Sequence, residues 1–355
     1  MTSTNNKINL VLASDQNYVK LLVPCIISIL YNKKPTTEID IFILDGGISE
    51  FDKQKIKELK SFNNINNCTI NFIDMTQQDY KNLVINDDAI RKRFSSTILY
   101  RMFIPKLFSY LDRILYLDAD SIVNDDLLDF YNQSFNKNYA VAPIYNYGSD
   151  PYSKKYIETQ VQYKNKVVTI KDILLEMGVC NNLNALSSCI ILYNIEQILQ
   201  DNKEQELIEK CLKYKDHVSF IDGDALSAVF RDKVKDIDSN YYFLIFDIDE
   251  YNSWNELEQK LYFNDFKKAI IQHFTQKHKP HHLFKLYKLI PFSYYHFYYY
   301  HQMSYLRINP IKLNLIFLWA KVKRFRRLLS GTRFEANGKK VFYFLWLEIV
   351  VRKSC

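Results

Sequence analysis

Asp118 and Asp120 follow directly on a short apolar run, residues 114–117, with only the small Ala119 between them. An apolar run of this length is typical of a buried strand in an α/β sheet. Because residues two apart on a strand share a face, persisting strand geometry would let both carboxylates bind one divalent cation. The pair also lies at the carboxyl end of the predicted strand, where open α/β sheets bind their ligands.

An acidic turn with solvated carboxylates is the alternative for this pair. The setting after a buried strand favours a ligand site, but the Asp-x-Asp pattern by itself is common. It recurs at three other places in the chain: Asp222/Asp224, Asp236/Asp238 and Asp247/Asp249.

Imidazole and ammonium groups are concentrated after a later predicted strand, residues 269–271. A neutral imidazole can complete a metal site that two carboxylates begin, and a lysine can meet phosphate oxygens. A solvated basic loop is the alternative. Four histidines and two lysines fall within the ten residues 273–282: His273, His278, His281, His282, Lys277 and Lys279.

The elements that must position these side chains alternate between strands and helices, which implies parallel strands and a sheet covered on both faces. The polar loop after the first strand lies where a nucleotide docks, although its Asp15 is also suited to be a helix N-cap. No G-x-G-x-x-G motif is present there, which excludes a dinucleotide-binding fold. The pattern predicts, in order, strand 8–13, helix 18–31, strand 38–44, helix 49–62 and strand 69–73.

Further polar residues are predicted to reach the same region from later elements. A helix over 95–111 carries Arg101 towards the acidic pair, although a lone arginine on such a helix is usually a surface residue. A buried strand over 189–193 and a helix over 195–214 precede Asp222, which opens an apolar helix. Stabilisation by the helix dipole is the simpler explanation for that aspartate.

In this order the motifs resemble glycosyltransferase family 8, and most closely its bacterial lipopolysaccharide glucosyl- and galactosyltransferases. The resemblance covers about residues 8–282. It is carried by LASDQNY (12–18), ILDGGIS (43–49), Tyr100-Arg101, LYLDAD (115–120), Asp222-x-Asp224-Ala225-Leu226, and His273 with Lys279-Pro280.

The resemblance implies a GT-A fold, a single Rossmann-like nucleotide-sugar-binding domain with a mixed, mostly parallel sheet. It implies a retaining hexosyltransferase that uses UDP-glucose or UDP-galactose together with Mn²⁺ or Mg²⁺. Retention leaves open a covalent intermediate on an aspartate or entry of the acceptor on the face that UDP leaves. Carried over residue by residue, the resemblance implies that the metal ligands are Asp118, Asp120 and His273. It implies that uridine is bound by Asp15, Asn17 and Tyr18, and that the donor also meets Asp118, Ala119 and Lys279. The catalytic residues at the sugar would be Asp222 and Arg101.

Three positions depart from the family pattern. Ser187-Ser188-Cys189 stands where the family has Asn-(Ala/Ser)-Gly, Gly223 stands where Gln is common, and Gln276 stands where Gly is frequent. These departures put the sugar identity and the diphosphate loop in question. A non-catalytic or altered-specificity relative that binds a nucleotide sugar or glycan is therefore the alternative function.

The last part of the chain, residues 283–355, differs in charge from the rest. It holds eight Lys and six Arg against two Glu, a net charge of +12, so residues 1–282 carry −5 of the total of +7. We therefore predict a GT-A catalytic domain over 1–282 and a basic, aromatic C-terminal extension over 283–355. Basic residues mixed with aromatics favour peripheral contact with an anionic membrane surface.

Two other interpretations of the extension are open, namely packing on the catalytic domain or a second copy, and nucleic acid binding. No nucleic-acid module is recognisable, so we expect no nucleic acid partner. A secretory signal and a run of eighteen apolar residues are both missing, and six cysteines show no metal-ligand spacing. We expect a cytoplasmic protein on the inner face of a bacterial inner membrane, acting on a lipid-linked oligosaccharide.

Overall fold

The computed structural model describes residues 6–351 except 65–66, 77–85, 87–94, 149–150, 180–181, 238–239, 247, 276–278, 291, 335–339 and 345–346. Its strands are β1 Lys7–Ser14, β2 Glu38–Asp45, β3 Cys68–Asp74, β4 Arg113–Leu117, β5 Ser121–Val123, β6 Ala140–Ala142, β7 Ile144–Asn146, β8 Gln160–Tyr163, β9 Lys166–Thr169, β10 Asn184–Leu186, β11 Ile190–Asn194, β12 Val234–Asp236, β13 Tyr242–Leu244, β14 Ile271–His273, β15 Ser330–Phe334, β16 Lys340–Phe344 and β17 Leu347–Val351.

The α-helices are α1 Val19–Asn32, α2 Glu50–Glu58, α3 Ile104–Leu107, α4 Leu128–Tyr131, α5 Pro151–Ile157, α6 Ile170–Met177, α7 Ile195–Gln200, α8 Lys203–Tyr214, α9 Ile221–Phe230, α10 Ile248–Tyr251, α11 Glu256–Lys268, α12 Tyr295–Gln302 and α13 Pro310–Leu329. Short 3₁₀ helices cover Gln16–Tyr18, Leu59–Asn64, Ser96–Phe103 and Leu283–Lys288.

Seven of the described strands form the central sheet, in the order β12-β6-β11-β4-β1-β2-β3. Strands β1, β2, β3 and β4 pair in parallel, as do β6 and β12, whereas β11 runs antiparallel between β4 and β6. This is the mixed, mostly parallel α/β sheet that the family resemblance implies. The parallel part follows from the alternation of strands and helices, since a crossover helix returns the chain in the same direction.

The first strand shows why the sheet is buried on both faces. Leu10, Val11 and Leu12 of β1 are fully buried, although neighbouring side chains on a strand point to opposite faces. Helix α1 follows and buries an almost continuous apolar stretch. A near-continuous apolar strand of this kind is expected when helices cover both sides of a parallel sheet.

Two predicted helices have a different form in the structure. The stretch predicted as one helix over 195–214 divides into α7 and α8, because Asn202 takes a left-handed conformation with φ of 52°. The stretch over 95–111 is a 3₁₀ helix followed by α3, with Pro105 at the start of α3. Proline lacks an N–H group and is favoured in a first helical turn, so a helix begins there more readily than it continues.

The chain divides into two compact units. The first contains residues 1–244 and 264–273, and the second contains residues 245–263 and 274–355. The second unit therefore includes some residues, 245–263 and 274–282, that the sequence analysis assigns to the catalytic domain. The predicted functional division at residue 282 stays a prediction.

Within the second unit, aromatic contacts join residues 245–263 to the C-terminal segment, residues 274–355. Phe292 packs against Phe263 at 4.8 Å and against Tyr251 at 5.9 Å between ring centroids. Helix α13 is held to the preceding turn by Arg324, whose Nη2 donates to the Leu286 and Leu289 carbonyls. Among the described residues, no helix is both long and apolar enough to cross a bilayer.

Candidate active site

Two aspartates converge on one imidazole in the first unit. Strand β4 ends at Leu117, so Asp118 and Asp120 lie in the link to β5 and not on a continuing strand. Strand β14 pairs antiparallel with β5 and sets His273 opposite Ser121. His273 Nε2 is 2.9 Å from Asp120 Oδ1 and 3.6 Å from Asp118 Oδ2. The three predicted metal ligands are therefore brought together.

Arg101 joins this cluster to a third carboxylate, that of Asp222. Its Nη2 donates to Asp118 Oδ1 at 2.9 Å, and its Nη1 is 3.0 Å from Asp222 Oδ2. The guanidinium lies over the ring of Tyr116, with 4.6 Å from Cζ to the ring centroid. Only 4% of Arg101 is exposed, so the surface interpretation of this arginine is wrong. A planar, permanently charged group suits a position between two carboxylates.

Asp222 is held by a second donor. Ser188 Oγ donates to Asp222 Oδ2 at 2.6 Å, and the Ser188 carbonyl accepts from Arg101 Nη1 at 2.5 Å. Asp222 lies in the first turn of α9, where the helix dipole also favours a negative charge. Ser188, the middle residue of the segment that departs from the family pattern, is therefore part of the site's hydrogen-bond network. Gly223 lies next to it, and a Cβ added there would come within 3.3 Å of the Leu186 carbonyl.

One residue of this cluster is missed by the sequence analysis. Asp118, Cys189 and His273 offer ligand atoms that all lie within 4.8 Å of one another. The Asp118 N–H donates to the Cys189 carbonyl at 2.9 Å, which fixes the two backbones side by side. Cysteine spacing along the chain gives no sign of this, because the partners are distant in sequence. The departure from glycine at this position is the signal that was available.

Burial and charge act together on the protonation of this cluster. Burial alone would lower the pKa of His273, but the neighbouring Cys189 and Asp120 raise the pKa to about 10. Burial raises the pKa of Asp118, although Arg101 and His273 oppose this. Desolvated carboxylates favour a bound positive charge. The cluster is therefore suited to a cation as well as to a proton.

The loop after β1 is ordered by Asp15. Asp15 Oδ1 accepts from the backbone N–H groups of Asn17 and Tyr18 at 2.9 and 3.2 Å, as an N-cap does. Its Oδ2 accepts from Ser95 Oγ at 2.8 Å. The N-cap interpretation of Asp15 thus holds in this structure, and any contact with a base would be additional. Burial raises the pKa of Tyr18, and the negative charges of Asp120 and Asp118 add to this effect.

Ala119 and Lys279 complete the predicted set. Ala119 is buried between the two aspartates, with 4% exposed. Lys279 lies in the second unit, where its Nζ donates to the Phe274 carbonyl. Gln276, Lys277 and His278 lie outside the described residues.

Asp224 is a further buried carboxylate, two residues after Asp222. It accepts hydrogen bonds from the hydroxyls of Tyr147 and Tyr156, the latter at 3.3 Å. Burial raises its pKa to about 7, and the nearby Asp222 adds to this effect while the tyrosine hydrogen bonds oppose it. Asp224 is thus partly protonated near neutral pH.

Comparisons with known proteins agree with this geometry. Residues 9–283 match the model of glycosyl transferase family 8. The chain is 25% identical over 235 residues to a candidate glycosyltransferase of Haemophilus influenzae, and this match covers 66% of the chain. It is 22% identical over 229 residues to general stress protein A of Bacillus subtilis, a match that covers 63% of this chain and 70% of that protein.

Two solved structures are similar in fold. One is the bifunctional glycosyltransferase WbbM, with a TM-score of 0.67, 18% identity and 90% of this chain covered. The other is galactosyltransferase LgtC bound to donor and acceptor sugar analogues, with a TM-score of 0.59, 18% identity, and 87% of this chain and 100% of that chain covered. These likenesses confirm the GT-A fold. The chain spans 63% of the Haemophilus influenzae protein and 52% of the WbbM chain.

Proposed function

The chain belongs to glycosyltransferase family 8, and on this premise we propose that it moves a hexose, glucose or galactose, from a UDP-sugar to a saccharide with retention of configuration. The observation that carries the proposal is the convergence of Asp118, Asp120 and His273, at 2.9 and 3.6 Å, beside the pair of Arg101 and Asp222. An arrangement of two carboxylates and an imidazole next to a third carboxylate suits a charged leaving group and a reacting sugar.

The donor set fits a divalent cation. Carboxylate oxygens and an imidazole nitrogen are ligands that Mn²⁺ and Mg²⁺ accept, and Asp118, Asp120 and His273 supply them at one point. When bound, such a metal would offset the charge that grows on the UDP diphosphate as the glycosidic bond breaks. Lys279 would add a positive charge at the same diphosphate. Asp15, Asn17 and Tyr18 would hold the uridine, with Ala119 leaving room for the donor.

Asp222 and Arg101 would act at the sugar. As the C1–O bond to UDP breaks, the sugar gains positive character, and a fixed carboxylate stabilises it. Ser188 and Arg101 both bind Asp222 Oδ2, which orients the carboxylate before substrate arrives. The acceptor hydroxyl would enter on the face that UDP leaves, and the leaving phosphate oxygen would take its proton. We favour this route over a covalent intermediate, because the leaving phosphate oxygen takes the acceptor proton and the route therefore needs no additional general base.

The acceptor would be a lipid-linked oligosaccharide, such as a lipopolysaccharide or lipooligosaccharide core, at the cytoplasmic face of the inner membrane. Support comes from α13 in the second unit. Five apolar side chains at spacings of four and three residues are 57–73% exposed on this helix: Ile311, Leu315, Leu318, Val322 and Phe325. Exposed Lys312 and Lys321 flank this stripe. An apolar stripe flanked by lysines suits an anionic bilayer surface.

Donor hydrolysis without acceptor tests the proposal. The protein is incubated with UDP-glucose, UDP-galactose or UDP-N-acetylglucosamine, with Mn²⁺ or with EDTA. We expect one hexose donor to be hydrolysed only with metal. Asp120→Ala should lower this turnover at least about 100-fold, since it removes a ligand at the point of charge development.

Asp129→Ala is the matched control, because Asp129 is an exposed aspartate a few residues along the same chain segment. It should turn over the donor at the wild-type rate. Turnover that persists in EDTA would contradict the metal site. Failure of UDP to bind with or without Mn²⁺, measured by calorimetry, would contradict the transferase itself.

A further inference from the structure

The Cys189 thiol is placed where a metal ligand would be. It begins the segment that enters β11, and β11 pairs with β4 in a register that sets Ile190 opposite Leu117. The Asp118 N–H to Cys189 carbonyl hydrogen bond of 2.9 Å extends that pairing by one step. Because both residues adjoin paired strands of the central sheet, the backbone of Cys189 is fixed beside that of Asp118.

The sulfur lies beside one carboxylate, that of Asp118, and one imidazole, that of His273. Ligand atoms of Asp118, Cys189 and His273 lie within 4.8 Å of one another, which is the span of atoms around one cation. The other imidazole nitrogen, Nδ1, is 2.8 Å from the Tyr242 hydroxyl. The hydrogen bond at Nδ1 fixes the ring orientation and directs Nε2 towards the two aspartates, 2.9 Å from Asp120 Oδ1.

We propose that Cys189 is a further ligand of the metal that the Asp118–His273 centre holds, and that this thiolate shifts the preference of the centre from Mn²⁺ towards Zn²⁺. The inference rests on the metal site of the proposed function. Carboxylate, imidazole and thiolate are each found as ligands of catalytic zinc sites, which keep one position open. Mn²⁺ and Mg²⁺ prefer oxygen ligands, whereas thiolates favour Zn²⁺.

Zn²⁺ binding to the thiol involves no change of oxidation state. Zn²⁺ replaces the thiol proton, the sulfur keeps its electron pair and donates it to the metal, and the proton leaves to water. Only two of the described free cysteines are partly exposed, Cys189 and Cys68, whereas Cys25 and Cys211 are buried. Cys68 starts β3, at the opposite end of a parallel strand from the acidic pair, and so it provides a matched control.

Co²⁺ is the spectroscopic probe of the full-length protein. Thiolate bound to Co²⁺ gives a sulfur-to-metal charge-transfer band in the near ultraviolet, in addition to the d–d bands of any bound Co²⁺. We expect this band in the wild type and in Cys68→Ser, and not in Cys189→Ser. Calorimetry with the metals alone should show that Cys189→Ser loses at least about tenfold in Zn²⁺ affinity, with Mn²⁺ affinity unchanged, because even outer-shell changes cost about that much.

The outcomes separate this inference from the proposed function. Co²⁺ binding with d–d bands but without the charge-transfer band in the wild type would overturn the Cys189 ligand and leave the metal site in place. Retention of the band in Cys189→Ser would also overturn it. No binding of Co²⁺, Zn²⁺ or Mn²⁺ would overturn the metal site of the proposed function as well. If Cys189→Ser does not fold, wild-type protein decides the matter, since bound Zn²⁺ should protect Cys189 from iodoacetamide.

Discussion

Arg101 shows how a single residue connects two parts of the site. Its guanidinium contacts carboxylates that lie more than a hundred residues apart in sequence, Asp118 and Asp222. Both carboxylates are largely buried, so loss of the arginine would leave two desolvated negative charges facing each other. Breaking a buried ion pair by removing one partner is far costlier than breaking an exposed one.

We therefore predict that Arg101→Met lowers the free energy of unfolding by about 3–5 kcal/mol and donor turnover by roughly 100-fold. Urea denaturation and the hydrolysis assay measure the two effects. Lys55→Met is the control, since Lys55 forms an exposed ion pair with Glu58 on α2, and such pairs contribute little. Equal effects of the two substitutions on stability would show that the Arg101 contacts carry no special weight.

Asp224 makes stability depend on pH. Its pKa is about 7 in the folded protein against an ordinary value of 3.8, so the folded state holds a proton that the unfolded state has lost between these two values. Stability from this group is therefore complete below about pH 4 and is lost as the pH rises through 7. Other buried carboxylates, such as Asp118, act in the same direction.

Asp224→Asn should remove this contribution, because an amide stays neutral while still accepting hydrogen bonds from the tyrosines. Urea unfolding at pH 5 and pH 8 should show a loss of stability on the order of 3 kcal/mol in the wild type beyond that of the variant. Asp129→Asn, on the surface, should behave as the wild type. An identical pH slope in wild type and Asp224→Asn would mean that Asp224 is ionised throughout.

At the scale of elements, α13 has two dissimilar faces. Leu313, Ile316 and Ala320 are buried against the second unit, while the stripe that begins at Ile311 faces solvent. A helix that packs on its own protein normally exposes polar residues on the outer face. The outer face of α13 is therefore better explained by an apolar environment flanked by negative charge than by water.

The double substitution Leu315→Glu/Leu318→Glu should reduce binding to vesicles containing phosphatidylglycerol at least about tenfold. Each leucine side chain that moves from water into the bilayer stabilises binding by about 1.5–3 kcal/mol, and glutamate removes this contribution. Co-sedimentation measures it. Leu257→Glu is the matched control, since Leu257 is 65% exposed in the same unit but outside the stripe. Undiminished binding of the double variant would assign the membrane contact to another surface.

Considering the whole molecule, the sequence predicts the sheet better than it predicts the network within the site. The apolar runs at β1, β2 and β4 are unambiguous, because a strand buried on both faces has few polar residues. Convergence of Asp120 with His273 depends on the β5–β14 pairing, which joins residues 153 apart and leaves no local pattern. Asn202 ends a helix through one backbone angle, and Cys189 acts through neighbours that sequence spacing does not reveal.

The second unit combines residues 245–263 with residues 274–355, and this arrangement predicts where the chain tolerates truncation. Residues 245–263 pack against residues beyond 282, as the contacts of Phe263 and Tyr251 with Phe292 show. A fragment of residues 1–282 should therefore expose these rings, bind a hydrophobic dye strongly and lose the melting transition of the second unit. A fragment of residues 1–329 retains the partners and should melt cooperatively. Equal behaviour of the two fragments in dye binding and thermal melting would contradict this assignment.

The long reach between Asp120 and His273 also affects how the protein is made. The two aspartates leave the ribosome well before their imidazole partner, which follows 153 residues later. At about 5–20 residues per second, this interval lasts on the order of 10–30 s. During that time the nascent chain carries paired carboxylates without the ring that completes the cluster. If the cluster holds a metal, as the proposed function requires, its capture would thereby be postponed until β14 has been synthesised.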